Sequence, residues 1–201
     1  MKIQKHIEKE SKSILNLPTQ EDAFEDAIAT INFFVHEPGA KGKVVTSGMG
    51  KAGHIAHNIA MTLSSTGTPA VFIHPSEAQH GDLGIMRHND VLLVLSNSGK
   101  TREIIEFIDL ARNMYPHTQV ISITGCRDCE LTKKSDVVLL TNDNGNTELD
   151  KFGLVPTIST TLMSVIGDIL VVELMDKIGF TKEQYSKLHH SGYIGSTLKK
   201  Q

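Results

Sequence analysis

The chain has no tryptophan, only two cysteines, six prolines and few aromatic residues in 201 positions. Two cysteines cannot build a disulfide framework, which excludes a small stapled secreted fold and favours a reducing, cytoplasmic compartment. Charge of one sign is also scarce. Twenty Lys and Arg against 23 Asp and Glu leave a net charge of −3, with no electrostatic case for a nucleic-acid partner. The N-terminal run MKIQKHIEKESKSIL lacks the apolar centre of a signal peptide. The longest apolar run, Thr161 to Met175, is interrupted by Asp168 and Glu173, so no membrane span is expected. With no repeat, low-complexity tract or linker, residues 1–201 are expected to form a single domain. Cys126 and Cys129 make one CxxC, but a second ligand pair for zinc is missing, and they read as ordinary thiols in a loop.

The most informative stretch is VLLVLSNSGKTRE, residues 91–103. Val91 to Leu95 read as a buried parallel strand. The chain then turns through Ser96, Asn97, Ser98 and Gly99, and from Thr101 the apolar spacing becomes helical. The first N–H groups of a helix have no internal partner and its dipole favours negative charge, so this is an anion site. Ser96, Ser98 and Thr101 can add hydroxyl donors, and a phosphate is the expected guest. The plainer alternative is that Ser96 and Ser98 cap the helix. An ATP P-loop is rejected, because Val94 stands where that motif needs glycine.

Helices are expected at 2–16, 21–35, 51–65, 101–114, 129–134, 157–178 and 182–188, and strands at 44–47, 70–73, 91–95, 119–123 and 137–140. Strands alternating with helices imply a doubly wound parallel sheet, an α/β fold whose ligands bind beyond the C-terminal strand ends. The turn after the first strand holds Gly48, Gly50 and Gly53 in the dinucleotide spacing G-x-G-x-x-G. The acid that fingerprint requires about 20 residues on is absent; the chain has Phe72-Ile73-His74-Pro75 there. The glycines then let the backbone approach a small anionic ligand closely, and Lys51 supplies a charge for a phosphate or an oxyanion. Between the second and third strands, His74 to Gly84 is dense in polar groups but without tight metal-ligand spacing.

The segments TSGMGKAGHIAHNIAMTLSSTGTPAVFIHPSEAQHGDLG, SNSGKTREI, FGLVPTISTT and HHSGYIG together resemble the SIS (sugar isomerase) domain of the arabinose-5-phosphate isomerase family. The resemblance implies a five-stranded, flavodoxin-like domain with helical terminal segments. It also implies a homotetramer that interconverts D-arabinose 5-phosphate and D-ribulose 5-phosphate. The family's four catalytic positions fall on Lys51, Glu103, Glu148 and His189, all of the expected type. Its substrate-contacting positions include Gly67, Thr68 and His80, and its metal-contacting histidine falls on His74, where zinc would be adventitious or inhibitory. Three departures stand out. Lys100 replaces the family's acid after SNSG, His190-Ser191-Gly192 replaces a Pro-Gly-Gly turn, and the chain ends without the paired CBS domains of many members.

An aldose–ketose isomerase must open a sugar ring, move a proton between C1 and C2 and stabilise an enediolate. Glu148, tuned by its environment to titrate near neutrality, is the expected carbon base. His189 would serve ring opening, Lys51 the oxyanion and Glu103 the orientation of Lys51 or of a substrate hydroxyl. Ser47, Gly48, Ser96, Ser98 and Thr101 would hold the phosphate, and no redox cofactor is required. Two other readings stay open: an isomerase of another sugar phosphate, and a non-catalytic sugar-phosphate sensor. A site shared between subunits is expected, because Glu148 lies in a polar loop and His189 in a tail.

Overall fold

Five short runs become strands: the central ones are buried on both faces, where branched side chains pack best, and Ala70–Phe72 at the sheet edge is half-buried. In a computed structural model describing residues 2–142 and 148–190, these are β1 (Val44–Gly48), β2 (Ala70–Phe72), β3 (Val91–Leu95), β4 (Gln119–Thr124) and β5 (Val137–Leu140). All pair in parallel in the order β2-β1-β3-β4-β5, with Val44 opposite both Ala70 and Val91. The order reverses between β1 and β3, so their C-terminal ends flank the crevice where ligands of such sheets bind.

The helices are α1 (Lys2–Leu15), α2 (Glu21–Ile31), α3 (Gly50–Ser65), α4 (Pro75–Ala78), α5 (Arg102–Met114), α6 (Glu130–Lys133), α7 (Ile158–Lys177) and α8 (Lys182–Leu188). Alternate strand residues divide between two layers, as the two-residue period of a strand requires. Val91, Leu93 and Leu95 pack against α2, α3 and α7. Leu92 and Val94 pack against α5 on the other face, together with Ala78 of α4 and Leu131 of α6. Among the described residues only α7 is long and apolar enough to cross a membrane, and its residues Leu162, Met163, Ile166 and Leu170 lie in the core instead.

The helix expected over 21–35 ends its α-helical part at Ile31 and closes with a wider turn, Asn32–His36. Pro38 is the cause. It has no N–H for the carbonyl of Phe34, which accepts from the Gly42 N–H at 3.2 Å instead, and it holds Glu37 extended.

The G-x-G-x-x-G spacing serves the joint between β1 and α3. A Cβ on Gly53 would lie 2.4 Å from the carbonyl oxygen of Gly48, so the helix start sits directly on the strand end. Backbone cannot swing aside as a side chain can. Gly53→Ala should therefore cost about 1–3 kcal/mol, lowering the melting temperature by roughly 2–4 °C per kcal/mol in thermal unfolding. An unchanged melting temperature would show that the joint is not tight.

Candidate functional site

The turn after β3 is built as a donor-rich cradle. Ser96 N–H donates to the Ile123 carbonyl at 3.2 Å, which ties the turn to β4. The Ser96 and Thr101 hydroxyls are 2.8 Å apart, and the Ser98 hydroxyl accepts from Lys100 N–H at 3.3 Å. Thr101 is the N-cap of α5, yet its side chain makes no capping bond. The capping role considered for Ser96 and Ser98 is therefore not what the fold uses, and the first N–H groups of α5 are left for an incoming anion. Gly99, at φ +62°, closes the turn, and the sulfur of Cys129 packs on it. The loop after β4 reinforces the cradle: Gly125 N–H donates to Asn97 O at 3.0 Å and Leu131 N–H to Gly99 O at 3.2 Å. Cys129 is thus a buried wall of this turn. Burial pushes its thiol pKa up, but hydrogen bonds from Thr132, Cys126 and Leu131 bring it below the usual value.

The opposite wall comes from the loop before α7. Glu148 is only 8% exposed, against the solvent exposure its polar loop suggests. Its Oε2 accepts from Thr157 N–H at 2.9 Å, the Thr157 hydroxyl at 3.0 Å and Ser159 N–H at 3.2 Å. It thereby caps α7, whose own N-cap residue, Thr157, makes no side-chain capping bond to the helix. Burial pushes the Glu148 carboxyl pKa up, and the bonds from Ser159 and Thr157 outweigh it, leaving the pKa below the ordinary value. The expectation of a glutamate tuned to neutrality is corrected: this one is ionised, because donors at a helix N-terminus favour the charged form.

Between these walls lies a cavity of about 380 Å³, a volume suited to a small metabolite. It is lined by Ser96, Asn97, Ser98 and Thr101 on one side, Lys51 at the α3 start, and Glu148, Ser159 and Thr160 on the other. The fold thus brings together Lys51, Ser96, Ser98, Thr101 and Glu148, which lie up to 97 positions apart in sequence. Ser159 and Thr160 are additions. The hydroxyl run TISTT opening an apolar helix was their signal, of the same kind as SNSGKT.

The other expected site residues lie elsewhere in this chain. Ser47 is fully buried and donates to the Ile73 carbonyl at 2.7 Å, which commits its hydroxyl to joining β1 to the end of β2. Neither Ser47 nor Gly48 lines the cavity in this chain, and a Cβ on Gly48 would lie 2.9 Å from the Ala52 carbonyl. Glu103 is half-buried in the first turn of α5, beyond the lining residue Thr101. Gly67 and Thr68 follow α3, which runs back about 24 Å along the sheet at 1.5 Å per residue, and so sit at the opposite edge. There the Thr68 hydroxyl meets His36 Nε2 at 3.1 Å. His80 is exposed after α4. His189 ends α8 with its Nδ1 3.0 Å from the Tyr185 carbonyl and its ring 3.9 Å from that of Tyr185. His74 is half-buried, and its Nδ1 has no partner among the described residues. No three metal-capable side chains cluster among the described residues, so His74 alone does not fit a zinc centre, which needs three or four ligands.

The SIS domain family model matches residues 39–173. Arabinose 5-phosphate isomerase KdsD of Escherichia coli is 44% identical over 158 residues, covering 79% of this chain and 47% of that protein. The Pseudomonas aeruginosa protein of the same name is 43% identical over the same shares. The chain spans about half the length of the curated relatives it matches. A Bacteroides fragilis protein, assigned as a phosphosugar isomerase involved in capsule formation, superposes with a TM-score of 0.90 at 55% identity, over 95% of this chain and 97% of that one. An E. coli CFT073 protein, c3406, in complex with arabinose 5-phosphate superposes with a TM-score of 0.83 at 32% identity, over 93% and 95% of the two chains.

Proposed function

Since the chain belongs to the SIS domain family, we propose that it is a phosphosugar isomerase interconverting D-arabinose 5-phosphate and D-ribulose 5-phosphate through an enediolate. The observation that carries this is the cavity itself: a phosphate cradle of Ser96, Ser98 and Thr101 facing an ionised Glu148, with Lys51 at its rim. The phosphate sits on the hydroxyls and the α5 N-terminus, which directs the other end of a five-carbon sugar across the cavity. Glu148 takes a proton from one of C1 and C2 and returns it to the other. With Oε2 held by three donors, that exchange falls to Oε1. A carboxylate of lowered pKa is a weak base, so stabilising the enediolate oxygen by Lys51 must supply much of the acceleration. One carbon is reduced as its neighbour is oxidised, so the reaction is internally balanced and requires no redox cofactor. Zinc at His74 would be adventitious or inhibitory.

The proposal includes a homotetramer with a shared site. His189, His80, Gly67 and Thr68 do not line the cavity of one chain, and in this reading a neighbouring copy brings them to it. Exposed apolar side chains support such contacts: Met61, Phe152, Leu154, Val172 and Leu188 are all at least 51% exposed. In the assembly His189 of a neighbouring copy would serve ring opening, and Glu103 would orient Lys51. A cytoplasmic location belongs to the same reading, since charged sugar phosphates do not cross membranes unaided.

The test is turnover of ribulose 5-phosphate by chelator-treated protein, following arabinose 5-phosphate, with zinc then added back. Turnover that survives chelation is expected, and added zinc should leave it unchanged or lower it. Binding without turnover would overturn the substrate assignment, and a panel of hexulose and heptulose phosphates would then separate another isomerase from a sensor.

A further inference from the structure

α1 lies outside the matched residues 39–173, yet it reaches the catalytic wall. Lys9 Nζ donates to the main-chain carbonyl of Glu148 at 2.7 Å, across 139 positions of sequence. The next residue, Glu10, accepts from the Thr161 hydroxyl in the first turn of α7 at 2.5 Å. Adjacent residues of one helix therefore grip both halves of the contact that sets Glu148: its own backbone, and the helix N-terminus that holds its carboxylate.

α7 has no acidic residue in its first turn and no side-chain cap of its own. Glu148 and Glu10, from two distant segments, provide the negative charge that the dipole favours there. The Oε2 of Glu10 is buried and unpartnered among the described residues.

We propose that Lys9 and Glu10 are positioning residues for Glu148, a splint that fixes the carboxylate relative to C1 and C2 of the bound sugar. The proposal rests on the isomerase reading for its kinetic form, but the splint itself can be tested without it. Neither residue lines the cavity, so substrate should bind nearly as before, while misplacement of the base lowers the chemical step.

The experiment compares Lys9→Met, Lys9→Arg and Glu10→Gln in the full chain. For ribulose 5-phosphate, Lys9→Met and Glu10→Gln should each lower kcat at least about tenfold with KM within about threefold. Lys9→Arg, which keeps a long cationic donor, should recover most of the loss. Amide hydrogen exchange is read in parallel. In Lys9→Met, the Leu149, Thr157 and Ser159 amides, which donate within this contact, should lose protection while β3 does not change. Should the wild-type protein turn over no sugar phosphate, the isomerase reading fails and the exchange result alone decides the splint. Unchanged exchange at those three amides, or equal loss throughout the core, overturns the proposal. So does a kcat within twofold of wild type in both variants.

Discussion

Glu148→Gln is expected to lower kcat for ribulose 5-phosphate by about 10³-fold while leaving KM within about threefold, because it removes the proton acceptor and little binding area. The glutamine is isosteric, and its carbonyl can still accept from the Thr157 and Ser159 N–H groups that now hold Oε2. Loss of turnover without loss of fold then separates base from cap. Steady-state kinetics beside sugar-phosphate binding by calorimetry check this, and retention of most activity would remove Glu148 as the base. The pH dependence has a definite sign. The folded pKa lies below the ordinary 4.5, so the stabilisation is present above that value and is lost as the pH falls through the folded value. Wild-type protein should lose stability in that acid range, and Glu148→Gln should lose less. Between about pH 6 and 8, Glu148 stays ionised, and any limb in the rate profile there belongs to another group.

Gly99→Ala is expected to be the most damaging single methyl in the cradle. Two costs combine. Gly99 has φ +62°, where a side chain costs roughly 1–2 kcal/mol. Its Cβ would also stand 2.1 Å from the sulfur of Cys129 and 3.2 Å from the Cys129 Cβ, and overpacking of that kind adds about 1–3 kcal/mol. Cys129 cannot withdraw easily, since it is 4% exposed and its main chain is held by Thr132. A fall in melting temperature of roughly 5–15 °C follows for a chain of this size, together with loss of phosphate affinity as the cradle shifts. The double variant Gly99→Ala/Cys129→Ala removes the sulfur and leaves mainly the backbone cost. It should recover about half the loss. A single variant as stable as wild type would show that the sulfur and the turn are not in the contact described.

The local part of this protein was legible in its sequence. The strands at 91–95 and 137–140 and the helix at 182–188 fall where periodicity places them, because a strand or helix is selected by side chains a few positions apart. The same holds for the cradle. A strand, three hydroxyl residues, a glycine and an apolar helix specify an anion site without any distant residue, and Ser96, Ser98 and Thr101 line the cavity. Lys51 was legible for the same reason, as the charge just inside a helix that opens after a strand.

What only the tertiary structure decided involves contacts between distant segments. Ser47 closes a strand with a hydroxyl, as Ser96 follows one, yet its hydroxyl points inward because β2 ends beside it and presents the Ile73 carbonyl. Glu148 reads as a solvated loop acid, but the start of α7 reaches it with two N–H groups, burying it and lowering its pKa. The CxxC reads as loose thiols, and packing makes one of them the floor of the cradle. Lys9 and Glu10 look like the solvated face of a terminal helix until α1 is laid across α7. Periodicity and spacing report which residues share a face. They carry no record of which face of another element will meet it, because that is fixed by how the layers close around one core.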